Sequence, residues 1–156
     1  MAIDQDEFRR VLGHFASGVT VVTVCHEDVY YGITVSSFTS LSLVPPLVLI
    51  CIDQRVASHP ALEGAGSFAV NILADDGEWL SRQFASRESD KFKGIAYHTG
   101  LVGAPLLDDA LATLECRIVA QVPGGDHTIF MGEVLATTAR QGKPLLYFRS
   151  GYHQLA

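Results

Sequence analysis

Hydroxyl side chains crowd one stretch of this sequence. Residues 32–46 read GITVSSFTSLSLVPP and carry Thr34, Ser36, Ser37, Thr39, Ser40 and Ser42. In an extended strand alternate side chains face opposite ways, so Thr34 and Ser36 share one face and Ser37 and Thr39 the other. Two readings fit: a polar edge strand with a Ser-rich turn, or a cradle of hydroxyl and amide donors for a polar ring or phosphate. Gly32 permits close approach to the backbone. Cys51, Ile52 and Asp53 end an apolar run, and Ser58-His59-Pro60 follow. A helix capped at Ser58 would offer free amides and a positive dipole end, a seat for phosphate or simply an ordinary capped helix. Pro60 removes one amide donor from that first turn.

Two further clusters carry charge. Residues 84–92 hold Phe84, Ala85, Arg87 and Lys91, and the last two are among few cations. They either serve a phosphate or neutralise a solvated loop. His127 follows the Gly125-Asp126 turn and opens a long β run, as a structural hydrogen-bonder or as a group at a site. A buried Glu133 would need a partner, and Arg117 on the neighbouring run is a candidate. Other chemistries lack support. The six histidines form neither HExxH nor HxH, which argues against a zinc hydrolase. No GxSxG and no GxGxxG after a strand is found. Cys51 beside His59 or His127 could make a nucleophile, but its apolar setting disfavours the thiolate.

The elements that must hold these groups are mostly β. Asp4 and Glu7 have capping-box spacing, Ile3 could staple onto Phe8, and Phe8, Val11, Leu12 and Phe15 form one apolar helical face closed by Gly18. Residues 19–25 and 29–38 read as a hairpin about a short polar loop. Residues 46–53 read as a strand covered on both faces. A short helix over 58–63 stops at Gly64, and a strand follows over 67–73. Residues 77–85 have helical spacing, with Trp79, Leu80, Gln83 and Phe84 near one face. Two long β runs, 112–122 and 128–139, flank a Pro-Gly-Gly-Asp turn. Short strands over 145–148 and 152–155 complete the count. Short loops join strand to strand without regular βαβ crossovers, so the expected fold is mainly β, a closed antiparallel barrel with short peripheral helices.

Composition narrows the classes. The 156 residues are expected to form one domain, 1–156. Hydrophobic residues make 48% and charged residues 18%, an apolar surplus for a small chain. The most apolar stretch, 41–52, falls short of the ~20 residues of a membrane span and is broken by Pro45-Pro46. MAIDQDEFRR does not read as a secretory signal. No membrane association is expected, and a homo-oligomer is the better cover for the surplus. Net charge is −6, without a basic run, which demotes nucleic-acid binding. Cys25, Cys51 and Cys116 show no CxxC pattern and read as buried free thiols in a reducing cytoplasm.

Taken together, these blocks resemble the short-chain flavin reductase family, the reductase components of two-component flavin monooxygenases. The likeness runs over residues 8–155. FRRVLGHFASGVTVVTV is similar to the family's opening helix and first strand, and GITVSSFTSLSLVPPLVLICID is the most specific signature. FAVNILADDGEWLSRQFAS, DKFKG and GDHTIFMGEV are further family-like blocks. The resemblance implies a split β-barrel, a homodimer, and FMN or FAD with NADH or NADPH as hydride donor. It places Thr34, Val35, Ser36 and Ser37 along the isoalloxazine and ribityl chain, with Cys51, Ile52 and Asp53 continuing that wall through backbone groups. Ser58 would help hold the flavin phosphate, and Phe84, Ala85 and Lys91 would close that side. His127 would lie where the nicotinamide approaches, as the catalytic residue, and Tyr152 would form the outer pocket. The family often has a hydroxyl residue where Pro60 stands here, which shifts phosphate contact towards Ser58, His59 or Lys91.

That resemblance implies an NAD(P)H:flavin oxidoreductase supplying reduced flavin to a flavin-dependent monooxygenase. The cofactors carry the reactive atoms, so no sharp catalytic constellation is required of the chain. The lack of a basic cluster leans towards NADH. Two alternatives stay open: a flavoprotein oxidase or oxygenase on the same barrel, and a non-catalytic flavin- or haem-binding module.

Overall fold

The computed structural model describes residues 2–156. In chain order the elements are α1 (Gln5–Leu12), β1 (Ser17–Gly18), β2 (Thr20–His26), β3 (Val29–Val35), β4 (Phe38–Ser42), β5 (Leu47–Asp53), α2 (Ser58–Ala65), β6 (Ser67–Leu73), α3 (Glu78–Ala85), β7 (Tyr97–Thr99), β8 (Pro105–Leu107), β9 (Ala110–Gly124), β10 (His127–Ala139), β11 (Leu145–Phe148) and β12 (Gly151–Gln154). Among the described residues no helix is long and apolar enough to cross a membrane.

Seven strands form one antiparallel sheet in the order β3-β2-β6-β9-β10-β5-β4. Its two edges, β3 and β4, are separated in the chain only by Ser36 and Ser37. The sheet must therefore curl until its edges approach. At that corner Ser37 extends the β4–β5 seam by one register step: its hydroxyl donates to the Cys51 carbonyl at 2.8 Å, and its own carbonyl accepts the Cys51 amide at 3.1 Å. No ladder joins β3 to β4 or β5, so the curl stays open along β3. This is the mainly β, antiparallel architecture expected from the sequence, but split along β3 where closure was expected from the strand pattern.

One core fills the curl, around Val22, Ile50, Ile52, Phe68, Cys116 and Phe130. A second lies under α3, around Val19, Val21, Leu73, Leu80, Phe84 and Leu145. Val48, Ile50 and Ile52 of β5 face inward, whereas Leu47, Leu49, Cys51 and Asp53 are only half-buried. The strand is thus covered on one face, not two, because none of the described elements forms a layer over the other. On α3 the buried residues are Leu80, Ser81 and Phe84, while Trp79 stays 48% exposed.

The helix ends differ from expectation for local reasons. Asp4 caps α1 by accepting the Glu7 amide at 3.1 Å, but the Glu7 carboxylate turns to Arg10 at 2.8 Å and the capping box is half made. The helix stops at Gly13, and Gly18 instead pairs with Leu146. The apolar face of α1 forms, yet none of its residues is buried. Helix α2 has Ala57, itself helical at φ −61° and ψ −30°, at its cap position, which moves Ser58 inside the first turn. It runs on through Gly64, where a Cβ would sit 2.4 Å from the His26 ring, to end at the left-handed Gly66.

Strands β7 and β8 carry no periodic signal in so few residues. Their anchor is buried Asn71 of β6. Its amide donates to the Val21 carbonyl at 3.0 Å and its carbonyl accepts the Leu107 amide at 2.8 Å. Thr23 adds a hydrogen bond to the Pro105 carbonyl at 2.6 Å. Asn71→Ala would orphan these groups at a cost of about 1–3 kcal/mol. The urea midpoint is expected to fall accordingly; an unchanged midpoint would remove Asn71 as the anchor.

Candidate functional site

The open edge of the sheet sets the site. Lys91 donates to the Gly32 carbonyl at 3.2 Å, so that carbonyl points away from β2. By the alternation of an antiparallel ladder, Tyr30, Gly32 and Thr34 all direct backbone groups outward. Tyr31, Ile33 and Val35 pack inward on the core, leaving Tyr30, Gly32, Thr34 and Ser36 on the opposite face. Gly32 is required there: a Cβ would lie 2.5 Å from the Phe84 ring. The close approach expected at Gly32 is thus made by an aromatic side chain of α3.

Three clefts meet at Thr34. The largest, about 520 Å³, lies between β3, the segment leading into α2, and residues 84–92. Ser58, Phe84, Ala85, Arg87 and Lys91 all border it. A second, about 230 Å³, joins Thr34, Ser36, Ser81 and Ala85 to Tyr147 and Tyr152. The third, about 190 Å³, brings Thr34 and Ser36 up to Ser37, Cys51, Asp53 and His127. Thr34 and Ser36 therefore bridge a cationic end and a histidine end of one stepped surface.

The polar groups along it differ in how free they are. The Thr34 hydroxyl donates to the Ser81 carbonyl at 2.6 Å, and the Ser81 hydroxyl meets the Tyr152 hydroxyl at 2.6 Å. This relay ties β3, α3 and β12 together, and Arg82 lies over the Tyr152 ring at 5.1 Å. Ser36 is exposed and forms no side-chain hydrogen bond among the described residues. Ser37 is committed to the seam. Val35 and Ile52 are core side chains, 5% and 1% exposed, so only their backbone can face a ligand. Both polar backbone groups of Cys51 are taken by Ser37. Burial pushes the Cys51 thiol above its ordinary value, which leaves it a thiol at neutral pH.

At the cationic end, Lys91 also donates to the Phe84 carbonyl at 2.9 Å and so fastens α3 to β3. Desolvation lowers its pKa. Arg87 forms no ion pair among the described residues. Ser58 is buried at the cleft wall. The helix start beside it is poor in free donors, because the Val56 carbonyl takes the His59 amide at 3.0 Å and Pro60 has none. His59 is turned away. Its ring nitrogens meet the Thr128 hydroxyl at 2.7 Å and the Glu63 carboxylate at 2.9 Å, and its ring packs on Phe130.

At the other end His127 stands opposite Asp53 across the β10–β5 ladder. Its Nδ1 meets the Asp126 carboxylate at 2.7 Å. Bonding to His127 lowers the Asp126 pKa. Asp53 is clamped by Arg55, at 2.8 and 3.1 Å, which holds its carboxyl well below the usual carboxylate range. The expected Arg117–Glu133 pair forms at 3.1 Å, away from these clefts. Sequence reasoning missed Ser81, which joins Thr34 to Tyr152; a serine on a buried helical face was its only signal. Arg87, weighed with Lys91 from the sequence but not among the residues the resemblance implies, borders the main cleft.

A curled antiparallel sheet with a stepped cleft along one open edge defines a split barrel. The chain belongs to the flavin reductase like domain family, which matches residues 12–156. It is 46% identical to the reductase component of a 4-nitrophenol 4-monooxygenase/4-nitrocatechol 2-monooxygenase of Rhodococcus opacus, over 96% of this chain and 80% of that protein. It is 42% identical to the reductase component of a 4-hydroxyphenylacetate 3-monooxygenase of Thermus thermophilus, with 97% of each chain covered. The fold matches an NADH:FAD oxidoreductase of Streptomyces globisporus, solved with NAD and FAD fragments, at a TM-score of 0.94 and 41% identity, covering 98% of this chain and 93% of that one.

The different commitments of the two serines give a test. Ser36→Leu should abolish flavin binding, followed by fluorescence quenching, at an unchanged melting temperature. Ser37→Leu should lower the melting temperature as well, because it breaks the seam. Intact flavin affinity in Ser36→Leu would remove Ser36 from the site.

Proposed function

We propose that this chain is an NAD(P)H:flavin oxidoreductase that delivers reduced FMN or FAD to a separate flavin-dependent monooxygenase. It acts as a single domain over 1–156, as a homodimer, in the cytoplasm. The observation that carries the reading is the open edge of β3, with donors at Thr34 and Ser36 between a cationic end and His127. The donor set suits a flavin: outward backbone groups and a free Ser36 hydroxyl for a polar ring edge and sugar chain, then Ser58, Arg87 and Lys91 for a phosphate. A bound flavin supplies the redox chemistry by accepting a hydride from the nicotinamide.

The chain's residues bind and align. Val35 and Ile52 stiffen the wall from inside the core, Phe84 and Ala85 close one side, and the Thr34–Ser81–Tyr152 relay fixes the other. The hydrogen bond between Nδ1 of His127 and Asp126 holds the imidazole in place and leaves Nε2 for the nicotinamide or for charge developing near it. Arg87 and Lys91 are offset at the main cleft by Glu88 and Asp90, which suits a flavin that is released after reduction. Relatives that are reductase components of monooxygenases support the partner. Three free cysteines suit a reducing compartment. The exposed stripe of Phe8, Val11, Leu12 and Phe15, 49–81% accessible, supports the homodimer.

NAD(P)H oxidation with added FMN, FAD or riboflavin tests the activity: consumption should depend on flavin, and its absence with every flavin and both nicotinamides would sink the reading. His127→Ala should lower kcat roughly ten- to hundredfold while flavin affinity stays within about twofold; an unaltered kcat would exclude His127. Light scattering should give the mass of two 16.9 kDa chains, and a monomer mass at micromolar concentration would contradict the dimer.

A further inference from the structure

The main cleft does not stop at its cations. Beyond Lys91, along the same edge of β3, it is walled by Tyr30 and Phe92. Tyr30 lies 6.0 Å from Phe92 and 5.6 Å from Tyr97, and Phe92 lies 5.5 Å from Tyr97, ring centre to ring centre. Each ring is braced at a steep angle by the other two, so the cluster is rigid before anything binds. Tyr30 nevertheless remains 37% exposed. Neither the phosphate nor the ring of a flavin accounts for an aromatic wall there.

We propose that this outer end is a purine subsite in which Tyr30 stacks the adenine of FAD, so that the chain prefers FAD to FMN. The proposal rests on the flavin reading above. Tyr30 and Gly32 are two residues apart on one face of β3, roughly 7 Å along the strand, and Lys91 is bonded to the Gly32 carbonyl. A flavin whose first phosphate meets Lys91 leaves the Tyr30 end unfilled if it ends there. FAD continues through a second phosphate to an adenosine and reaches it. The charges agree. Glu88 and Asp90 border the cleft with Arg87 and Lys91, and one Asp90 oxygen accepts the Phe92 amide at 3.1 Å. Two anions offset two cations, so this end suits a neutral base better than a further anion. The adenine of a nicotinamide dinucleotide has the same chemistry. Its nicotinamide, however, is placed at His127, on the far side of Thr34 from Tyr30.

Equilibrium binding of FAD and FMN to the wild-type chain, Tyr30→Ala and Tyr30→Phe tests this, with the KM for NADH measured alongside. Stacking of a base on one ring predicts FAD tighter than FMN by about tenfold or more. Tyr30→Ala should bring the two within about twofold by weakening FAD alone, and Tyr30→Phe should restore the difference. Equal affinities in the wild-type chain would overturn the subsite, while binding of neither flavin would instead overturn the flavin reading beneath it. A raised KM for NADH in Tyr30→Ala with FAD affinity intact would assign the patch to the nicotinamide dinucleotide and overturn the proposal. Equal weakening of both flavins with a lowered melting temperature in both variants would make Tyr30 a structural residue and overturn it too.

Discussion

Two residues, Ser36 and Ser37, lie between the first and last strands of a seven-stranded sheet. So short a link cannot cross a flat sheet of that width, since neighbouring strands stand about 4.8 Å apart. The curl, the core inside it and the open edge beside it all follow from that spacing. Ser37 is fixed by two hydrogen bonds to Cys51, and Ser36, its neighbour, faces the cleft with its hydroxyl free. The seam residue and the cleft-facing residue are therefore neighbours in the chain.

The second constraint is the scarcity of charge. An edge strand normally presents unmatched backbone groups to solvent. Here Lys91 takes one carbonyl from β3 and another from α3, and Phe84 lies against Gly32 where any side chain would collide. The ammonium is desolvated in this position, which lowers its pKa. It acts as a bracket between two elements as much as an electrostatic attractor. Arg87, free of carboxylate partners, is better placed to respond to a ligand's charge.

What the sequence made legible was local. The Asp4 cap, the β-branched run of β2, the alternation that puts Thr34 and Ser36 together and the Gly125-Asp126 turn each depend on neighbours within a few residues. The misreadings arose where distant contacts decided the outcome. Gly64, read as the stop of α2, lies inside it, where the His26 ring of β2 leaves no room for a side chain. His59 looked available next to Ser58, but Thr128 and Glu63 take both its nitrogens. Strands β7 and β8 owe their existence to Asn71 and Thr23, far from them in sequence. Many of the residues that line the clefts meeting at Thr34 could be named in advance, whereas the division between free and committed hydroxyls could not.

Helix α1 stands apart from the rest of the chain. Its apolar side chains face outward, and it is tied to the body by the Gly13 carbonyl accepting the Arg149 amide at 2.8 Å and by an edge contact of His14 with Phe148. A helix that buries nothing of its own chain takes little stability from the core, and eight residues are too few to hold a helix unaided in water. A surface that covered that stripe would stabilise the helix by mass action and make the order of the first turns depend on concentration.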